Sequence, residues 1–154
     1  MKYWFLFLAF LSVNPLFGQT SEENEVKIVI EKTLDFISME KDSHPDWNLF
    51  RNYFSENASF ILPGRKYDEN GVRKITRWDL ETFIKNAGPN YEQNGFKEIP
   101  DETEIKVFNG TAVAQQRYTA YFGSQTVSGL NTYVLVHDGK EWKIVLLTWA
   151  EDEK

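Results

Sequence analysis

Two dipeptides, Asn109-Gly110 and Asp138-Gly139, constrain this chain more than any other feature. Each sits between stretches whose apolar residues recur at every second position. Asn-Gly and Asp-Gly readily adopt the positive φ that a two-residue hairpin needs. A period of two is the signature of a half-buried strand. Together with a looser turn at Phe122-Gly123-Ser124-Gln125, they predict an antiparallel meander of about four strands over 96–108, 111–122, 126–137 and 140–149.

Upstream the period is helical. Thr20-x-x-Glu23 is a capping box, and Val26, Val29, Ile30, Thr33 and Ile37 follow it at helix spacing, which predicts a helix from about Ser21 to Met39. Ser43-His44-Pro45-Asp46 opens a short second helix with Trp47, Phe50 and Phe54 on one face. Ala58–Leu62 reads as a strand stopped by Pro63-Gly64, and the polar stretch 65–74 as a loop or hairpin excursion. Thr76-x-x-Asp79 starts a third helix bearing Leu80, Phe83 and Ile84, with Gly88-Pro89 as its end. Helices followed by a meander make an α+β layer fold.

Residues 1–19 stand apart. Lys2, the apolar run Tyr3–Leu11 and Leu16-Phe17-Gly18 before polar Gln19-Thr20 read as a secretory signal cleaved near Gly18 or Gln19. Asn14-Pro15 breaks the run before it reaches the roughly 20 residues that a spanning helix needs. An exported protein (periplasmic or secreted) with one domain over 20–154 is therefore expected, without a stable membrane anchor after cleavage.

Charge and composition exclude several chemistries. The net charge is −6 and no Lys/Arg cluster occurs, so the basic stripe that nucleic acid or an anionic membrane requires is missing. There is no cysteine, which removes disulfides, thiol nucleophiles, thiolate metal sites and a lipidated anchor. Only His44 and His137 are histidines, and their separation argues against a zinc site. No nucleophile elbow and no phosphate-cradling glycine loop occur. No cofactor or metal is expected.

Tight hairpins fix register, and register decides which side chains face inward. Around Asn109-Gly110, Val107 meets Ala112, Ile105 meets Ala114, Thr103 meets Gln116 and Asp101 meets Tyr118. The alternate set, Lys106–Val113, Glu104–Gln115 and Glu102–Arg117, is charged and faces out. Around Asp138-Gly139, Leu135 meets Trp142, Tyr133 meets Ile144 and Asn131 meets Leu146 on the inner side, leaving Val134, Val145 and Trp149 outside. Gln116, Tyr118, Asn131 and Tyr133 thus point inward among apolar neighbours. They either satisfy one another or line a pocket and orient a ligand. Asp101 is the carboxylate best placed for acid–base work.

The chain resembles the nuclear transport factor 2-like superfamily, in particular its exported SnoaL-like members. The carrying residues are Asp46-Trp47-x-x-Phe50, Tyr53–Phe60, Val113-Ala114 with Arg117–Tyr121, Gly129–Val136 and Gly139–Val145. The resemblance implies a cone-shaped (cystatin-like) fold, a curved antiparallel sheet on about three helices, with a cavity at its open end. It also implies frequent homodimerisation through the sheet. Its ketosteroid-isomerase-like members carry a general-base carboxylate just before a proline of the first strand. Here Leu62 precedes Pro63, which argues against that chemistry.

The leading expectation is a non-enzymatic small-molecule binder. Trp47, Phe60, Trp78, Tyr118 and Tyr133 would wall its cavity, and Gln116 and Asn131 would supply hydrogen bonds. An isomerase-, dehydratase- or cyclase-like enzyme using Asp101 or Tyr118 is the first alternative. A homodimerisation scaffold built on Val134, Val145 and Trp149 is the second.

Overall fold

A computed structural model describes residues 20–152, so the segment read as a secretory signal lies outside the described residues. Helix α1 (Ser21–Ile37) is closed at its start by the expected box: the Thr20 hydroxyl accepts from Glu23 N, and Thr20 N donates to the Glu23 carboxylate at 2.7 Å. Helix α2 (Trp47–Arg51) is capped by Asp46, whose carboxylate accepts from Asn48 N and Leu49 N. Phe54 does not share the face of α2; it begins strand β1 (Phe54–Tyr67). Pro63-Gly64 fails to stop this strand. Pairing of β1 with the last strand ends at Ile61, so the missing Pro63 N–H removes no bond on that side. The stretch expected as a loop or excursion is a hairpin, with β2 (Arg73–Asp79) returning beside β1.

Helix α3 (Leu80–Asn94) is capped by Asp79 rather than started at Thr76, and it runs through Gly88-Pro89. Packing overrides the local stop signal here. Gly88 sits against the Trp47 ring, so close that a Cβ would lie 3.0 Å from it. The helix ends instead at Gly95, whose φ of 73° suits glycine. Next door, Phe96 and Met39 exchange two backbone hydrogen bonds of 2.7 and 2.9 Å.

Strands β3 (Phe96–Phe108), β4 (Thr111–Phe122), β5 (Gln125–His137) and β6 (Trp142–Glu151) complete one sheet in the order β2-β1-β6-β5-β4-β3. All neighbours are antiparallel except β1 and β6, which run parallel. The result is the expected α+β architecture, with a curled sheet wrapped on three helices. Val26, Ile30, Phe50, Phe60, Tyr133, Leu135 and Ile144 are fully or almost fully buried between the layers.

Two irregularities change which side chains face the helices. Near Asn109-Gly110 the expected register holds, with Val107 opposite Ala112 and Thr103 opposite Gln116. Between Thr103 and Pro100 a bulge intervenes, and Tyr118 faces Pro100 instead of Asp101. Asp101 is exposed, and Arg117 pairs with Asp152 at 2.6 Å rather than with Glu102. At the other hairpin, Asp138-Gly139 is not a two-residue turn. The Asp138 carboxylate accepts from Lys140 N and Glu141 N, making a four-residue connection closed by His137 opposite Trp142. A further shift beside Leu135 then puts Tyr133 opposite Leu147 and Asn131 opposite Trp149. Trp149, expected outside, is an inner residue; its ring meets Phe83 edge-on at 6.4 Å.

Candidate functional site

The bulge in β3 has one chemical consequence. An extra residue in a strand reverses the facing of everything beyond it. Unbroken alternation would leave Glu98 outside. Instead Glu98 lies opposite Ala120 and Phe96 opposite Phe122, on the face toward the helices. Here the sheet and helices do not close. A cavity of about 260 Å³ remains, walled by Phe60, Phe83, Phe96, Tyr118 and Trp149, with Glu98 and Asn131 among its lining. A cavity of roughly 150 Å³ takes up benzene, so this one has room for two fused rings.

The wall rings pack against one another. Phe60 stacks on Phe83 at 4.3 Å, and Tyr91 stacks on Phe96 at 4.1 Å. Tyr118 fits because residue 129, directly opposite on β5, is glycine; a Cβ there would lie 2.6 Å from the Tyr118 hydroxyl.

Asn131 organises the polar part. Its Nδ2 donates to Glu98 Oε1 at 2.6 Å and to the Tyr133 hydroxyl at 3.3 Å. Burial pushes the Glu98 carboxyl up to about 7, while the Asn131 hydrogen bond works in the opposite direction. Burial, with the nearby Glu98 charge, also raises Tyr91 and Tyr133, so both phenols stay protonated at neutral pH. The cavity therefore presents one carboxyl able to gain or lose a proton near neutrality, set among aromatic faces. Among the described residues no cluster of His, Cys, Asp and Glu is placed to hold a metal. No described helix is long and apolar enough to cross a membrane.

No family model matches the sequence, and no curated protein matches it. Solved structures do. An NTF2-like protein of unknown function from Shewanella baltica superposes with a TM-score of 0.57 at 16% identity, over 89% of this chain and 100% of the other. The hub of the S. rosetta CaMKII gives 0.61 at 19% identity, over 84% and 95%. A candidate scytalone dehydratase from Novosphingobium aromaticivorans gives 0.61 at 11% identity, over 86% and 85%. The chain has the nuclear transport factor 2-like fold. At these identities the likeness extends to the fold alone.

In this nuclear transport factor 2-like cone, Phe60, Tyr118, Asn131 and Tyr133 all line the cavity. Four other residues singled out in the sequence lie elsewhere. Trp47 packs edge-on against Phe50 at 5.4 Å, behind the wall. Trp78 lines a neighbouring groove between β2 and α3 that shares Phe83, Tyr91 and Trp149 with the cavity. Gln116 is buried closer to the closed end, where its Nε2 donates to Thr103 Oγ1 at 3.1 Å. Asp101 faces solvent. The sequence reading missed Glu98, Phe96 and Trp149. One signal was available for the first: Pro100 sits within the strand run, and a proline there favours an irregularity that resets alternation.

Proposed function

We propose that this protein binds a small, largely apolar molecule in the cone cavity, with the Glu98 carboxyl as its polar anchor. The observation that carries the reading is a titratable carboxyl inside an aromatic-walled space, with Asn131 engaging Oε1. Mostly apolar walls with a few convergent polar groups are the usual form of a small-molecule site. N-phenyl-1-naphthylamine, a neutral dye that brightens in apolar surroundings, tests it. Fluorescence should rise with wild-type protein and fall away in Leu147→Trp, which fills the cavity. Equal signal from both would defeat the reading.

A second reading is favoured by one fact: a carboxyl titrating near 7 is best matched to general acid–base work at neutral pH. It would move a proton to or from a bound ring. Deuterium uptake at the acidic carbon of 2-tetralone, followed by NMR, should be accelerated and should lose that acceleration in Glu98→Gln. No acceleration by the wild type would leave simple binding.

Self-association and export complete the proposal. Val113, Val134 and Leu146 form a row across the outer face of β4, β5 and β6, which suits a sheet-to-sheet homodimer without Trp149. Light scattering should report a dimer, and Val113→Lys a monomer. Intact mass of the protein recovered from its native compartment should correspond to cleavage near Gly18 or Gln19.

A further inference from the structure

The charges around the cavity are one-sided. Glu98 and Glu151 are among its lining residues, while none of those residues is a lysine, arginine or histidine. The titratable groups facing Glu98 are the phenols of Tyr91 from α3, Tyr118 from β4 and Tyr133 from β5, with Glu151 lining the cavity from the end of β6. From α1 come Thr33, Leu34 and Ile37, which do not titrate. Arg117 is engaged outside by Asp152, and Arg73 lies over the Tyr67 ring at 4.4 Å and lines the neighbouring groove.

This arrangement discriminates among ligand charges. An anion would meet the Glu98 carboxylate, which repels it, with no lysine, arginine or histidine among the lining residues to offset it. A neutral molecule would leave the ionised carboxylate buried without a counter-charge. A cation gains a charge-assisted hydrogen bond from the carboxylate, and its apolar body is covered by the aromatic walls. Resting on the binding function proposed above, we infer that the natural occupant is an organic cation: a protonated amine on an apolar body, its ammonium group against Glu98 and its body against the aromatic walls.

Burial of Glu98 adds a pH dependence. Below about 7 the carboxyl holds a proton that an arriving ammonium must displace, so affinity falls as the pH is lowered.

Three probes of one shape test the inference by calorimetry on the 20–154 chain. They are 1-naphthylmethylamine (a cation), 1-naphthylmethanol (neutral) and 1-naphthoate (an anion). At pH 8 the amine should bind about tenfold more tightly than the alcohol, as a charge-assisted bond implies, and the anion weakest. At pH 5.5, where the amine is still protonated, its affinity should drop by about sevenfold, to nearly that of the alcohol. Glu98→Gln should abolish the amine's advantage and leave the alcohol within about twofold of its wild-type affinity. Should that variant fail to fold, the wild-type pH series and the amine-to-alcohol ratio decide the matter. An alcohol that binds as tightly as the amine overturns the cation inference while leaving the cavity reading intact. Equal amine binding by Leu147→Trp reveals mere attraction to an acidic surface and also overturns it. No binding by any probe overturns both.

Discussion

The two ends of the β3–β4 hairpin are built from one pair of strands yet behave as different materials. Toward Asn109-Gly110 the ladder is regular, and small Ala112 and Ala114 let the sheet close on Leu135, Trp142 and Ile144. That end is a filled core. Beyond the bulge at Pro100–Thr103 the inward residues are Tyr118, Ala120, Phe96 and Phe122, which form a satellite cluster apart from the main core. Large rings there arch over a space rather than fill it. Side-chain size and one extra residue in β3 separate a closed core from a cavity with a carboxyl inside it.

The contrast can be broken most readily at the closed end. Leu135→Ala should cost about 3 kcal/mol in urea unfolding, because a fully buried side chain leaves a new void. Leu147→Ala, at the wall of an existing cavity, should cost less than about half as much. Equal costs would mean that the two ends are packed alike.

Glu98 sharpens the comparison next. Its folded-state value lies above its ordinary one, so the native protein holds the proton more tightly than the unfolded chain does. The contribution to stability is fully present below about 4.5 and is lost as pH rises through about 7, a change of roughly 3 kcal/mol at most. Unfolding of the wild type should therefore show this decline relative to Glu98→Gln between pH 4.5 and 8. Parallel curves for the two proteins would place Glu98 in water.

A smaller effect is expected from Asn131→Leu. Removing the donor at 2.6 Å from Oε1 should move the Glu98 midpoint further up by about one pH unit in a carbon-detected NMR titration. An unchanged midpoint would mean that the amide does not steady the charged form. Least of all should Asp101→Asn do: within about 0.5 kcal/mol in stability and no change in dye binding, since the residue is exposed on the bulge. A large loss would return Asp101 to the site.

Much of the fold was legible because its signals are local. The Thr20/Glu23 box and the Asn109-Gly110 turn each work within four residues, and each stands where it was read. Phe60, Tyr118, Asn131 and Tyr133 face inward as read, although three cross-strand partners differ: Tyr118 meets Pro100 rather than Asp101, Tyr133 meets Leu147 rather than Ile144, and Asn131 meets Trp149 rather than Leu146. Gly88-Pro89 misled because a stop signal of local strength was outweighed by the seat of Trp47 against α3. Asp138-Gly139 misled because the Asp138 side chain captured two backbone N–H groups and lengthened the turn.

By itself, the sequence determined the order of helices and strands other than β2, and the supply of aromatic rings, since these depend on residues close together along the chain. It left open where alternation is interrupted. A bulge yields one unpaired residue in exchange for a better fit of a bent strand to what packs upon it, and that balance involves α1, α3 and β5 together. Only the tertiary structure, therefore, decided that Glu98 rather than Asp101 enters the cavity, and that Trp149 closes a wall rather than facing the solvent.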